Sequence, residues 1–153
     1  MTAVTRILLI VIIIMSLAGM VDAGYAARLH YDAGDDSFCN FGPQFNCDVV
    51  NTSKYAAILG VPVAGIGFAG YLLFAALSVS LLKGFDLRGL ASPALVAAAA
   101  LGTGFSLYLT YVEFFILETV CILCVISQAL VILILAAAIA VTVLSRRAGG
   151  ARV

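Results

Sequence analysis

The chain has 153 residues, 64% hydrophobic and 10% charged, with a mean hydropathy of +1.19, whereas soluble domains run at about 45–50% apolar and about 25% charged. This excludes an ordinary soluble globule and a disordered tail, and the balance of eight Lys+Arg against eight Asp+Glu leaves no global basic field to hold nucleic acid. The length allows one domain. Its solvent is lipid, where about 20 helical residues cross roughly 30 Å of hydrocarbon.

A first span is predicted over residues 7–27, behind Arg6 and running past Asp22. Arg6, the short apolar stretch and Val21-Asp22-Ala23 also resemble a cleavable signal peptide; cleavage would leave three spans. Residues 28–55 form the one long polar segment, an exterior loop holding His30, Cys39, Cys47 and the glycosylation sequon Asn51-Thr52-Ser53. A lone loop histidine reads as a solvated surface residue and makes no metal site. The second span covers 56–82, with Gly65, Gly67 and Gly70, and Pro62 suits a helix's first turn. Lys83, Asp86, Arg88 and Gly89 separate it from the third span, 92–112, which carries Gly102 and Gly104. Glycines at these positions let helix backbones approach closely in lipid. Glu113 and Glu118 bracket a tight turn, the fourth span covers 120–144, and Arg146, Arg147 and Arg152 follow. The last three spans contain no charge. The expected fold is an all-α membrane protein, a single domain over 1–153 built as a four-transmembrane-helix bundle with a long exterior loop between helices 1 and 2.

Lys and Arg gather on the cytoplasmic side of a membrane protein. Arg6, Lys83, Arg88, Arg146, Arg147 and Arg152 fall on one side, and only Arg28 and Lys54 on the other. Six against two places both termini in the cytoplasm. The long loop and the Glu113 turn then face the exterior, periplasm or lumen.

Function is read from the four cysteines. Cys39 and Cys47 lie in the loop, and Cys121-Ile122-Leu123-Cys124 opens span four. All four share the oxidising side, where disulfides form and persist. A Cys-x-x-Cys at a helix start closes a small ring, and the helix N-terminus favours the attacking thiolate. Glu113 and Glu118 push the other way by disfavouring a second negative charge. Cys124 lies about one turn into its span, at the outer edge of the hydrocarbon, where a lipid-soluble two-electron oxidant such as a quinone reaches it. Gln128, at i+4 from Cys124, shares its helix face; its amide either binds a quinone carbonyl or bonds a neighbouring helix. A mobile, water-exposed Cys39/Cys47 dithiol suits exchange with a soluble thioredoxin-like protein. A zinc site is disfavoured, since one pair has a seven-residue gap and the other enters lipid. Two static disulfides in a non-enzymatic scaffold remain the rival from another class.

These residues resemble the vitamin K epoxide reductase family and its bacterial disulfide-forming homologues. The shared pattern is Cys39-x7-Cys47, Ser53 six residues later, Gly60-Val61-Pro62, and Cys121-Ile122-Leu123-Cys124 at the last span, over most of the chain. The order differs from that of disulfide bond formation protein B, which carries its Cys-x-x-Cys in the first exterior loop. The resemblance implies a four-helix bundle around a quinone pocket (ubiquinone, menaquinone or vitamin K), capped by the loop. Cys121 and Cys124 would be the active-site pair, with Cys124 nearest the quinone. Cys39 and Cys47 would be the shuttle, and Ser53 the loop hydroxyl near the site. Bacterial members oxidise a periplasmic thioredoxin-fold (DsbA-like) partner, which here would be a separate chain, and sit in the inner membrane. Animal members reduce vitamin K epoxide in a lumen; Gln128 stands where they carry a tyrosine, which departs from their pattern.

Overall fold

In lipid, backbone N–H and C=O groups must pair within the segment that carries them, and the long uncharged runs of this chain do so as helices. The computed structural model describes residues 2–31, 39, 40, 42, 44–85 and 89–150. Helix α1 spans Ala3–Tyr31, the short α2 Cys47–Thr52, and strands β1 and β2 cover Ala57–Ile58 and Val61–Pro62. Helices α3, α4 and α5 span Val63–Leu82, Ala91–Val112 and Ile122–Gly150. Among the described residues, four helices are long and apolar enough to cross a membrane, and the protein is an all-α, multi-pass integral membrane protein. Asp86, Arg88 and Arg152 lie outside the described residues.

Three boundaries differ from the sequence reading. The first helix runs on to Tyr31, so His30 stands in its last turn and not in a loop. Its Nδ1 is 2.6 Å from the carbonyl oxygen of Asn51, and the ring is half-buried rather than solvated. The second long helix starts at Val63, because residues 57–62 fold back as an antiparallel hairpin pairing Ala57 with Pro62 and Ile58 with Val61. Leu59 and Gly60 form its two-residue loop at φ 52° and 82°, the positive pair that a type I′ turn requires. Pro62 is the N-cap residue of α3, one position before the helix proper. The third helix does not end in a turn at Glu113. It continues through Glu113–Leu117 as one π-helical turn, closed by Glu118 in the left-handed conformation at φ 52°. Such turns displace side chains from the α-helical face and recur at functional sites.

Helix α1 packs against α3 and α5, and α4 against α5. The mid-bundle core joins Leu9, Ile12, Tyr71, Phe74, Leu95 and Ile134. The tightest approach lies at Gly19, not at the glycines of the later spans. A Cβ there would stand 2.4 Å from the Tyr71 ring, whereas Gly67 and Gly102 only reach ordinary or slightly tight contact and Gly65, Gly70 and Gly104 face open space. Hydroxyls tie α4 to α5 at Ser92 and Thr142, 2.6 Å apart. A second core at the loop end contains Ala26, Leu29, Val50, Leu123 and three cysteines.

Candidate active site

The loop is sewn to the start of the last helix. Val120 N–H donates to the Gln44 carbonyl at 2.9 Å, and Asn46 N–H to the Val120 carbonyl at 3.3 Å. Asn46 then caps α2, its side-chain oxygen accepting from Val49 N–H at 3.0 Å, as N-cap asparagines do. The Asn40 side chain accepts from Cys47 N–H at 3.1 Å and donates to the Asp48 carboxylate. Cys39 and Cys47 form a disulfide with Cα atoms 5.9 Å apart. Both are 0% exposed. The expected water-exposed pair is therefore buried, because α2 and the paired loop backbone press it onto Ala26 and Leu29 of α1.

Cys121 and Cys124 are free thiols. Cys121, one residue before α5, is fully buried in the same cluster as Cys39 and Cys47. Cys124, in the first turn of α5, is half-buried and faces a cavity. The opposing influences on the Cys121 thiol have a winner. Hydrogen bonding from the Cys124 thiol, helped by the N–H groups of Leu123 and Cys124 at the helix start, holds it below its ordinary value against burial and the Glu113 charge.

Asn51 was read as a sequon residue, but its side chain is buried and committed. The amide nitrogen donates to the Cys47 carbonyl at 2.9 Å and to the Cys121 sulfur at 3.7 Å. A glycan has no room to attach there. Asn51 lies at i+4 from Cys47, so the helical spacing of the two residues was the available signal. Glu113, read as turn punctuation, is 3% exposed and accepts from Cys121 N–H at 3.0 Å. Glu118 is exposed.

The cavity holds about 450 Å³, within the range of small-molecule sites. Cys124, Glu113, Asn51 and Ser53 border its loop end, and Leu73, Phe74, Leu101, Phe105 and Val131 supply apolar walls. Ser53 therefore lies on the wall, its hydroxyl donating to the Val50 carbonyl at 2.8 Å and ending α2. Gln128 is not among the lining residues. Its side-chain oxygen accepts from Ser106 at 2.5 Å and from Thr110 at 3.1 Å, both on α4, which is an interhelical bond, while its amide nitrogen is buried with no hydrogen-bond partner among the described residues. The wall runs instead through Ser127, at i+3 from Cys124. Its carbonyl and hydroxyl hold the Tyr71 hydroxyl at 3.0 and 2.7 Å. Sequence reasoning missed Tyr71 and Ser127; the i+3 neighbour of Cys124 shares its face as fully as the i+4 neighbour.

Two sulfur couples thus meet at one end of a helical bundle, and the inner one opens onto a largely apolar cavity at membrane depth. This is an arrangement for moving electrons between thiols and a greasy acceptor. The family model of the vitamin K epoxide reductase family matches residues 10–139, taking in all four cysteines, the whole of α3 and α4 and most of α1 and α5. The chain belongs to the vitamin K epoxide reductase family, and it is a membrane oxidoreductase of the kind that acts on thiols and quinones.

Proposed function

We propose that the protein oxidises a thioredoxin-fold partner on the exterior face of the membrane and passes the electrons to a membrane quinone, supporting disulfide formation there as bacterial-type members of the family do. The orientation rests on the six-to-two distribution of basic residues, which supports a loop end on the non-cytoplasmic face, the periplasmic side of a bacterial inner membrane. The partner's dithiol reduces the Cys39–Cys47 disulfide. The resulting thiols reduce a Cys121–Cys124 disulfide, each exchange being attack of a thiolate on a sulfur. The Cys121 and Cys124 thiols then return to a disulfide while the quinone becomes quinol, gaining two electrons and two protons.

The observation that carries this reading is the division of labour between the inner sulfurs. Cys121 is sealed among Cys39, Cys47 and Asn51, and Cys124 faces the cavity. Asn51 also supports Cys47 as the loop cysteine that exchanges with Cys121, since one amide nitrogen reaches both the Cys47 carbonyl and the Cys121 sulfur. The low-lying thiol of Cys121 suits it to attack. Ser53 borders the same cavity mouth and serves the quinone end of the site.

The test is turnover of purified protein given a reduced thioredoxin-fold protein and a short-tailed ubiquinone or menaquinone. Cys124→Ala abolishes quinone reduction while Cys121 still forms a trapped mixed disulfide with Cys47. Undiminished quinone turnover in Cys124→Ala would refute the assignment. Impermeant thiol labels that reached the reduced loop pair only from the cytosol would overturn the orientation.

A further inference from the structure

We infer that Glu113 is the base that takes the proton of the Cys124 thiol and hands it to the quinone oxygen; the inference deepens the proposed function and rests on it. The carboxyl group is buried at the loop end of α4, where the π-helical turn sets it. One oxygen, Oε2, is committed to Cys121 N–H at 3.0 Å. The other, Oε1, is buried and has no hydrogen-bond partner among the described residues. The Cys124 thiol faces the same carboxylate, and both side chains line the cavity. The carboxyl group that carries this oxygen therefore borders both the thiol that must lose a proton and the cavity where the acceptor must gain one.

A purely structural role accounts for only half of this side chain. Anchoring Cys121 N–H needs one carbonyl-type oxygen, which a glutamine supplies without a charge. Leaving the second oxygen of a buried carboxyl unsatisfied is costly, and ionisable groups at membrane depth are expensive and commonly functional. Proton uptake is what the extra oxygen allows. The step balances. The Cys121 and Cys124 thiols give up two electrons and two protons and form one S–S bond. The quinone takes both electrons and, as quinol, two protons. The Cys124 proton travels by Oε1 of Glu113 to one quinone oxygen, the Cys121 proton is released to water, and the second quinone oxygen takes its proton from water.

The experiment uses full-length protein in lipid nanodiscs, with Cys121 and Cys124 reduced and the loop disulfide intact. Single-turnover reduction of a short-tailed ubiquinone is followed optically, and exchange of Cys121 with the loop disulfide is followed by rapid quench and alkylation. Glu113→Gln keeps the volume and the acceptor for Cys121 N–H but removes the base. Loss of a positioned general base typically costs about 10²–10⁴-fold. Quinone reduction slowed about 100-fold or more, with Cys121 exchange not slowed and activity regained in Glu113→Asp, is the expected result. Wild-type quinone reduction in Glu113→Gln beside an inactive Cys124→Ala overturns the inference and leaves the proposed function standing. Equal slowing of both steps reduces Glu113 to an anchor and overturns it as well. An active Cys124→Ala brings down the proposed function itself. Should Glu113→Gln fail to fold, the wild-type enzyme carries the test: quinone reduction slower in D2O supports proton transfer in this step, and equal rates in H2O and D2O overturn it.

Discussion

Gly19→Ala puts a single methyl at the closest approach in the bundle. The added Cβ would lie 2.4 Å from Tyr71 Cε1 and 2.5 Å from Cδ1 and Cζ. These are ring atoms of a side chain only 3% exposed, packed edge-on against Phe74 with centroids 5.9 Å apart. The ring must move by about 1 Å to restore ordinary carbon contact, near 3.5 Å. Moving it pulls the hydroxyl away from Ser127, which it now meets at 3.0 and 2.7 Å. Overpacking of this kind costs about 1–3 kcal/mol, and a lost hydrogen bond adds roughly 0.5–1.5 kcal/mol. Replacing glycine by alanine within a helix gives back up to about 1 kcal/mol. The net expectation is a destabilisation of about 1–3 kcal/mol, read as a lower midpoint for unfolding in detergent. Because Tyr71 and Ser127 both line the cavity, KM for the quinone rises too. Tyr71→Leu in the same chain relieves the clash, so a double-mutant cycle gives a coupling of about 1 kcal/mol or more, as contacting residues do. A Gly19→Ala protein as stable as wild type, with zero coupling to Tyr71, would refute the reasoning.

Titrating thiolate ultraviolet absorbance with the loop disulfide intact follows Cys121 and Cys124 alone, the two free cysteines. Cys124→Ala removes the largest influence holding Cys121 low, so the Cys121 midpoint moves up; in wild type the thiolate is lost only as pH falls through the depressed value, and in the variant it is lost at higher pH. An unmoved midpoint contradicts the hydrogen bond as the cause. Asn51→Leu removes the donor shared by the Cys47 carbonyl and the Cys121 sulfur; at about 1–3 kcal/mol for a buried group left unpaired, exchange between the loop pair and Cys121 slows about tenfold, measured by rapid quench and alkylation, and a wild-type rate counts against Asn51 as the bridge. Gln128→Leu leaves KM for the quinone near its wild-type value and shifts stability by about 0.6 kcal/mol, the mean for side-chain bonds between membrane helices. A large rise in KM with stability intact would restore Gln128 to the quinone's contacts.

The spans were legible because each is a long run without charge, a signal that local detail does not blur. The order of the cysteines was legible for a similar reason, since spacing along the chain survives folding. What stayed hidden was set by backbone conformation. Residues 56–62 are as apolar as the helix that follows, and only the positive φ angles of Leu59 and Gly60 turn them into a hairpin. Glu113 looked like the end of a helix because charges usually mark such ends, and only the π-helical turn carries it inward to Cys121. Asn51 matched a three-residue motif that presumes exposure, while the helix begun at Cys47 buries it. Gln128 and Ser127 are adjacent in sequence, and the rotation of α5, fixed by packing against α1 and α4, decides which of them meets the cavity.

The burial of Cys39 and Cys47 changes how the proposed electron route has to run. A disulfide that is 0% exposed cannot meet a soluble dithiol until the loop lifts. Among the described residues, the polar ties that hold it down include two backbone hydrogen bonds to Val120, the Asn40 bonds to Cys47 and Asp48, and the Asn51 amide. Net contributions near 1 kcal/mol each put opening within reach of a binding partner, since local openings of a fold span free energies from about zero up to its full stability. Closed, the same loop buries Cys121 in one cluster with Cys39 and Cys47, which hinders stray thiols from short-circuiting the inner couple. Loop position therefore separates the two half-reactions in time, and the cavity at Cys124 separates them in space.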